Sequence, residues 1–226
     1  LLKMQEMVRG VVEAPKPVIA AVEGVAVGGG MALASACDFV VAARDARFAS
    51  AFVKIGLMPD LGAMWTLSMR MGLGRARAFL MSGEIMGAEA ARDAGMIEEV
   101  VEPGQALPRA QEMAAGFATM ATRALARTKS CMARMPMGFD EALKLEADAQ
   151  TACIISEDFA EGRAATRHQL VETGSKSLVR PAEKLSELTP GPVDRRRGEI
   201  RIVGSSFFIL LSTRVHQFPA PSTQLV

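Results

Sequence analysis

Three cysteines (Cys37, Cys131 and Cys153) and two histidines are all this chain of 226 residues holds. None of the cysteines forms a C-x-x-C pair, so a disulfide framework and a zinc site are both disfavoured, and a reducing, cytoplasmic setting is expected. Charge of one sign is equally scarce: 26 Lys and Arg face 25 Asp and Glu, leaving a formal charge of +1. That balance gives no footprint for nucleic acid or an anionic membrane surface. Long apolar runs are missing as well, since the best candidate, IVGSSFFILL at 202–211, is about ten residues with two serines, too short to span a bilayer. No repeat with a period of 20 to 50 residues is visible, and the opening residues read as a helix, so a signal peptide is not expected there. What is present is length and apolar content, 50% hydrophobic, enough for one sizeable core.

Along the chain, apolar residues at helical spacing predict a helix over 2–13, ended by Pro15 and Pro17. Val18 to Val27, rich in valine and alanine, predicts one strand buried on both faces. A glycine triplet, a short helix over Met31 to Cys37 and a strand over Phe39 to Ala43 complete an α/β crossover unit. Further helices are expected from Pro59-Asp60 to Met71, Leu73 to Met81 and Ala88 to Ala94, followed by a strand over Met96 to Val101. Leu107 to Ser156 reads as helical with a break at Pro136-Met137-Gly138. Beyond 165 the periodicity is lost, and 166–226 reads as a divergent, poorly ordered tail.

The triplet Gly28-Gly29-Gly30 in GVAVGGGMALASACD carries the chemistry. Glycine lets another group approach the backbone closely. At a helix start the first N–H groups have no intrahelical partner and the macrodipole is positive. The guest is therefore a phosphate or an oxyanion formed on a carbonyl. Phosphate is disfavoured, because neither G-x-G-x-x-G nor Gly-Lys-Ser/Thr is present. Tight strand–helix packing is the bland alternative.

The segment KPVIAAVEGVAVGGGMALASACDFVVAARDARF resembles the centre of the enoyl-CoA hydratase/isomerase (crotonase) family. FVKIGLMPDLGAMWTLSMRMGLGRARAFLMSGEIMGAEAARDAGMIEEVVEPG and the closing SEDFAEGRAA continue the resemblance over about residues 3 to 165. It implies an α/β fold, a crotonase-like ββα spiral with a helical C-terminal region, incomplete at its N-terminus. The implied parts are a partial spiral core over 1–102, a helical trimerisation-type region over 103–165, and the tail. The implied partner is an acyl-CoA thioester, handled by a homotrimer or hexamer, with no nucleic acid and no membrane. No metal and no cofactor is implied, because coenzyme A arrives as part of the substrate. The backbone N–H of Gly29 becomes one of two oxyanion donors, and the other is expected in an upstream segment. The chain opens at Leu1 without methionine and leaves the family pattern after Ala165, so a shortened start and an altered end are expected.

Hydratases of this family use two glutamates, one to activate water and one to supply a proton. The matching positions here are Ala32 and Phe52, which can do neither. Asp60, in GLMPDLG, resembles the acid of the isomerase branch, where one carboxylate moves a proton between two carbons. Phe52, Ile55, Leu57 and Trp65 are expected to line an apolar pocket about it. Its bland alternative is a helix N-cap. Glu84 is a second candidate acid, while Glu23 and Asp38 read as turn or cap residues. His168 and His216 receive no role, and Arg75 and Arg77 read as a solvated face before a phosphate contact. The expected activity is enoyl-CoA isomerisation. Hydration by non-standard acids and a silent acyl-CoA-binding or assembly subunit are its alternatives.

Overall fold

The computed structural model describes residues 1–173 and 207–211, with side chains over 1–166. Helix α1 (Leu2–Val12) leads through the Pro15–Pro17 segment into strand β1 (Val18–Val22), all five residues of which are buried. The expected single strand then breaks. Gly24 takes φ +80°, a conformation that L side chains resist, and the chain turns into a separate strand, β2 (Val25–Val27). Helix α2 (Gly29–Ala36) follows, then β3 (Phe39–Ala43) and β4 (Arg47–Ala49) repeat the two-strand step. Strands β1 and β3 pair in parallel in one sheet, and β2 and β4 pair in parallel in another. Each turn of chain thus lays one strand in each sheet, which is the winding of a ββα spiral.

A 3-10 turn (Val53–Ile55) and helices α3 (Ala63–Met71) and α4 (Leu73–Ser82) close the second turn. Strand β5 (Ile85–Gly87) joins β4 antiparallel, helix α5 (Ala88–Asp93) crosses over, and β6 (Glu99–Val101) joins β3 in parallel. Helix α6 (Ala106–Ala118) lies on the outer face of the first sheet. Alternation along the strands divides two cores. Val18, Ala20, Val22, Val40 and Ala42 face the inner core with α2, α3 and α4. Ile19, Ala21 and Val41 face Ala106, Ala110 and Ala114 of α6.

Helices α7 (Thr122–Met132), α8 (Phe139–Ile154) and α9 (Glu157–Thr173) form a C-terminal layer, with the break at 136–138 where it is expected and another at 119–121. Strand β7 (Phe207–Leu211) pairs antiparallel with β1 over all five residues, giving the first sheet the order β6-β3-β1-β7. The stretch read as a divergent tail over 166–226 therefore takes in the end of α9 and this strand. Its remaining residues lie outside the described ones. No helix among the described residues is long and apolar enough to cross a membrane.

Candidate active site

Helix α2 begins one residue into the glycine triplet. Gly28 is its N-cap, at φ +52° and ψ −115°, a combination that favours glycine. The Gly28 N–H is spent on Ala49 O of β4 (3.0 Å), and its carbonyl accepts the Ala32 N–H (2.9 Å). The next three N–H groups, of Gly29, Gly30 and Met31, meet no acceptor among the described residues. These are the orphan donors of a two-turn helix, reinforced by its dipole. Gly28 and Gly29 are half-buried, Gly30 is exposed and Met31 is buried.

The missing side chains have neighbours waiting. A Cβ on Gly28 would lie 3.8 Å from the ring of Phe52, and one on Gly29 would lie 3.2 Å from Leu61 Cδ1. Packing thus leaves no easy room for a side chain at the residue whose N–H is unpartnered among the described residues. Leu61 is 2% exposed and sits at φ +51°, an uncommon conformation for a bulky residue that costs of order 1–3 kcal/mol. Gly62 follows at φ +77°. This left-handed pair turns the chain so that Leu61 fills the space over Gly29, with Asp60 the residue before it.

Asp60 is half-buried, and its carboxylate makes no hydrogen bond or ion pair with the described residues. Helix α3 starts at Ala63 with Gly62 as its cap and no side-chain cap bond. The N-cap alternative for Asp60 is thereby excluded, and the expected helix start at Pro59-Asp60 moves three residues on. The expected apolar pocket is corrected too. Phe52 is buried against the glycine element, but Ile55, Leu57 and Trp65 are exposed at 71%, 55% and 41%. These three side chains, near Asp60 in sequence, stand open rather than enclosing it.

At the two positions where hydratases keep glutamates, Ala32 is fully buried and Phe52 is 6% exposed. Glu84 is exposed, at the end of α4. Glu23 caps α6, accepting from the N–H groups of Gly104 (3.0 Å) and Ala106 (2.8 Å). Asp38 accepts the Val18 N–H (2.7 Å) and pairs with buried Lys129 (2.6 Å). Arg75 reaches Ala94 O (3.5 Å) on an exposed face, and Arg77 is exposed. The side chains of His168 and His216 lie outside the described residues.

Sequence reasoning missed the grip on α2 from α3. The Arg70 guanidinium donates to Ser35 O (2.9 Å) and Cys37 O at the C-terminal end of α2, and also to Met96 O (3.2 Å) and Glu98 (2.7 Å). A cation there complements the negative end of the helix. A basic residue in the last turn of α3 was readable, but its reach across to another helix was not. Beside it, burial pushes the Cys37 thiol up to about 12, the Arg70 charge opposing the shift only in part.

Comparison with known proteins bears on the same residues. The family model for enoyl-CoA hydratase/isomerase matches residues 2–173. The chain is similar to the 1,2-epoxyphenylacetyl-CoA isomerase of Escherichia coli, 40% identical over 157 residues, covering 69% of this chain and 60% of that protein. It is similar to the crotonyl-CoA hydratase of Syntrophomonas wolfei, 34% identical over 162 residues, covering 71% and 62%. A crystal structure of an enoyl-CoA hydratase from a Polaromonas species matches with TM-score 0.70 at 35% identity, over 74% of this chain and 65% of that one. The chain thus spans 60% to 62% of the length of these two curated relatives.

Proposed function

The chain belongs to the enoyl-CoA hydratase/isomerase family, and we propose that within it the chain acts as an enoyl-CoA isomerase with Asp60 as proton shuttle. The observation that supports this reading is the approach of Leu61 Cδ1 to 3.2 Å from where a Gly29 Cβ would stand, with half-buried Asp60 the residue before Leu61 and its carboxylate without a partner among the described residues. With a 3-enoyl thioester, Asp60 takes a proton from C2. The C–H electron pair shifts toward the thioester carbonyl, whose oxygen becomes an anion held by the Gly29 N–H. The carboxyl then returns its proton to C4, the C3–C4 double bond moves to C2–C3, and a 2-enoyl thioester leaves. One carboxylate serves both steps, which suits a site with Ala32 and Phe52 at the other acid positions. Coenzyme A is part of the substrate, and no resident cofactor is required.

Hydration remains the second reading, because relatives of similar identity are named hydratases. One assay decides: the purified chain and Asp60→Asn are offered 3-enoyl-CoA and 2-enoyl-CoA. Isomerisation that falls by about a thousandfold in Asp60→Asn supports the proposal, and isomerisation that survives removes Asp60. Water addition to 2-enoyl-CoA would establish the hydratase, and thioester binding without turnover the silent subunit. We further propose that the chain works as a homotrimer or hexamer, a reading supported by α8, which has no buried residue of its own.

A further inference from the structure

Helix α2 has few ways to hold its direction. It is eight residues long, and three of its six buried residues, Ala32, Ala34 and Ala36, are alanines whose methyl groups interlock weakly. The directional contacts come from α3. Ser35 and Thr66, each 4% exposed, bring their hydroxyl oxygens to 2.7 Å. Ser35 Oγ also lies 2.8 Å from Ala32 O, and Thr66 Oγ1 lies 3.2 Å from Gly62 O.

Two hydroxyl protons face three contacts, so only two can be hydrogen bonds at once. Gly62 O already accepts the N–H groups of Trp65 and Thr66, both at 2.9 Å, and is the acceptor least in need. The consistent arrangement has Thr66 donating to Ser35 and Ser35 donating to Ala32 O. A directed chain then runs from the first turn of α3, which Gly62 joins to Leu61 and Asp60, to Ser35 in the last turn of α2 and back to Ala32 O in the turn that Gly29 opens.

We infer that the buried Ser35–Thr66 hydroxyl pair is a latch that sets the oxyanion end of α2 against the Asp60 turn, making both positioning residues for the reaction. The inference rests on the roles given to Gly29 and Asp60 above. Arg70 holds the carbonyls of Ser35 and Cys37 at the same end of α2, and the hydroxyl pair adds the contact that reaches back through Ala32 toward the glycine end. Losing the latch need not unfold the protein: without Thr66's hydroxyl, Ser35 keeps Ala32 O, and without Ser35's, Thr66 turns to Gly62 O.

The test uses the full chain, labelled with nitrogen-15, as Thr66→Val, Ser35→Ala, the double variant and Thr66→Ser. Two quantities are read: the amide resonances of Gly29, Gly30 and Met31, and the affinity for crotonyl-CoA. Thr66→Val and Ser35→Ala are expected to shift those resonances and weaken binding about fivefold, the worth of one buried hydrogen bond. The double variant should add little to either, because both remove one bond. Thr66→Ser keeps the hydroxyl and should match the unsubstituted chain. Fixed α2 resonances in both single variants, or a Thr66→Ser variant indistinguishable from Thr66→Val, would overturn the latch. An unsubstituted chain that does not bind crotonyl-CoA would count against the proposed function instead, while the amide resonances still decide the latch.

Discussion

Gly28 and Gly29 are adjacent, yet they are glycines for different reasons, and substitution separates the two. Gly28 has room for a methyl group, its nearest neighbour lying 3.8 Å away, but its φ of +52° does not suit an L residue. Gly28→Ala is therefore expected to cost about 2 kcal/mol in backbone strain, read as a lower urea midpoint. Gly29 carries no such conformation, and alanine there recovers roughly 1 kcal/mol of helix propensity. Its methyl would crowd Leu61 at 3.2 Å, an overpacking cost of about 1–3 kcal/mol, so the net stability change should be smaller than for Gly28→Ala. If the proposed isomerisation runs through Asp60, the displaced Leu61 should carry Asp60 out of place, and activity in Gly29→Ala should fall far more than stability does. A Gly29→Ala variant with full activity would break the link between the contact and the chemistry. Cys37 gives the pH prediction. Its thiol titrates near 9 when unfolded and about 12 when folded. Between those values the unfolded chain has lost a proton that the folded chain keeps, so stability must fall as pH rises, by about 1.4 kcal/mol per unit at most. Denaturation curves from pH 8 to pH 11 should show this extra slope in the unsubstituted chain and lack it in Cys37→Ala.

At the scale of elements, Lys129 ties the C-terminal layer to the core. Its ammonium, on a side chain 8% exposed, donates to Val11 O (2.8 Å), Lys16 O (3.1 Å) and Asp38 (2.6 Å). All three protons are used, and the acceptors come from the end of α1, the loop before β1 and the start of β3. Lys129→Met leaves two carbonyls and a partly buried carboxylate short of a donor, at an expected cost of about 2 kcal/mol, below the fully buried case because Asp38 keeps contact with water. Hydrogen exchange should quicken across α7 while β1 and β3 stay protected; equal quickening in both would mean that Lys129 is not a local tie. That tie could not be read from sequence, since Lys129 pairs with Asp38 across 91 residues. The buried strands were legible as VIAAV and FVVAA because unbroken apolar runs have few other uses. The three-residue strand β5 was not, being too short to show a period, and neither was the split at Gly24, where one backbone angle outweighs a continuous apolar run. The same holds at the site. The triplet and Asp60 were legible through their motif, whereas the approach of Leu61 to Gly29 depends on a left-handed leucine that no local signal announces.

For the whole molecule, the distribution of burial is uneven in a way that predicts association. The core residues of both clusters end at α6. Beyond it, α8 buries nothing, and Phe139, Leu143 and Ile155 stand 76%, 46% and 82% exposed. A cavity of ≈1030 Å³ opens between α7, α8 and α9, walled in part by Met132, Met135, Met137 and Leu145. On the spiral, Val25, Val27, Leu57, Met58 and Trp65 are each more than 40% exposed. Single exposed apolar side chains are ordinary, but clustered ones mark a surface that a partner covers. Exposed apolar side chains on two different parts of one chain allow a head-to-tail contact, and a head-to-tail contact closes into a ring or grows into a filament. The expected outcome is a discrete oligomer in sedimentation velocity, dissociating on dilution. Phe139→Glu combined with Leu143→Glu should shift the population to monomer with the circular dichroism of the spiral unchanged, because neither side chain contributes to either core. A chain that sediments as a monomer at every concentration would remove the assembly proposal. An oligomer indifferent to the two substitutions would move the contact off α8 and onto the exposed apolar residues of the spiral.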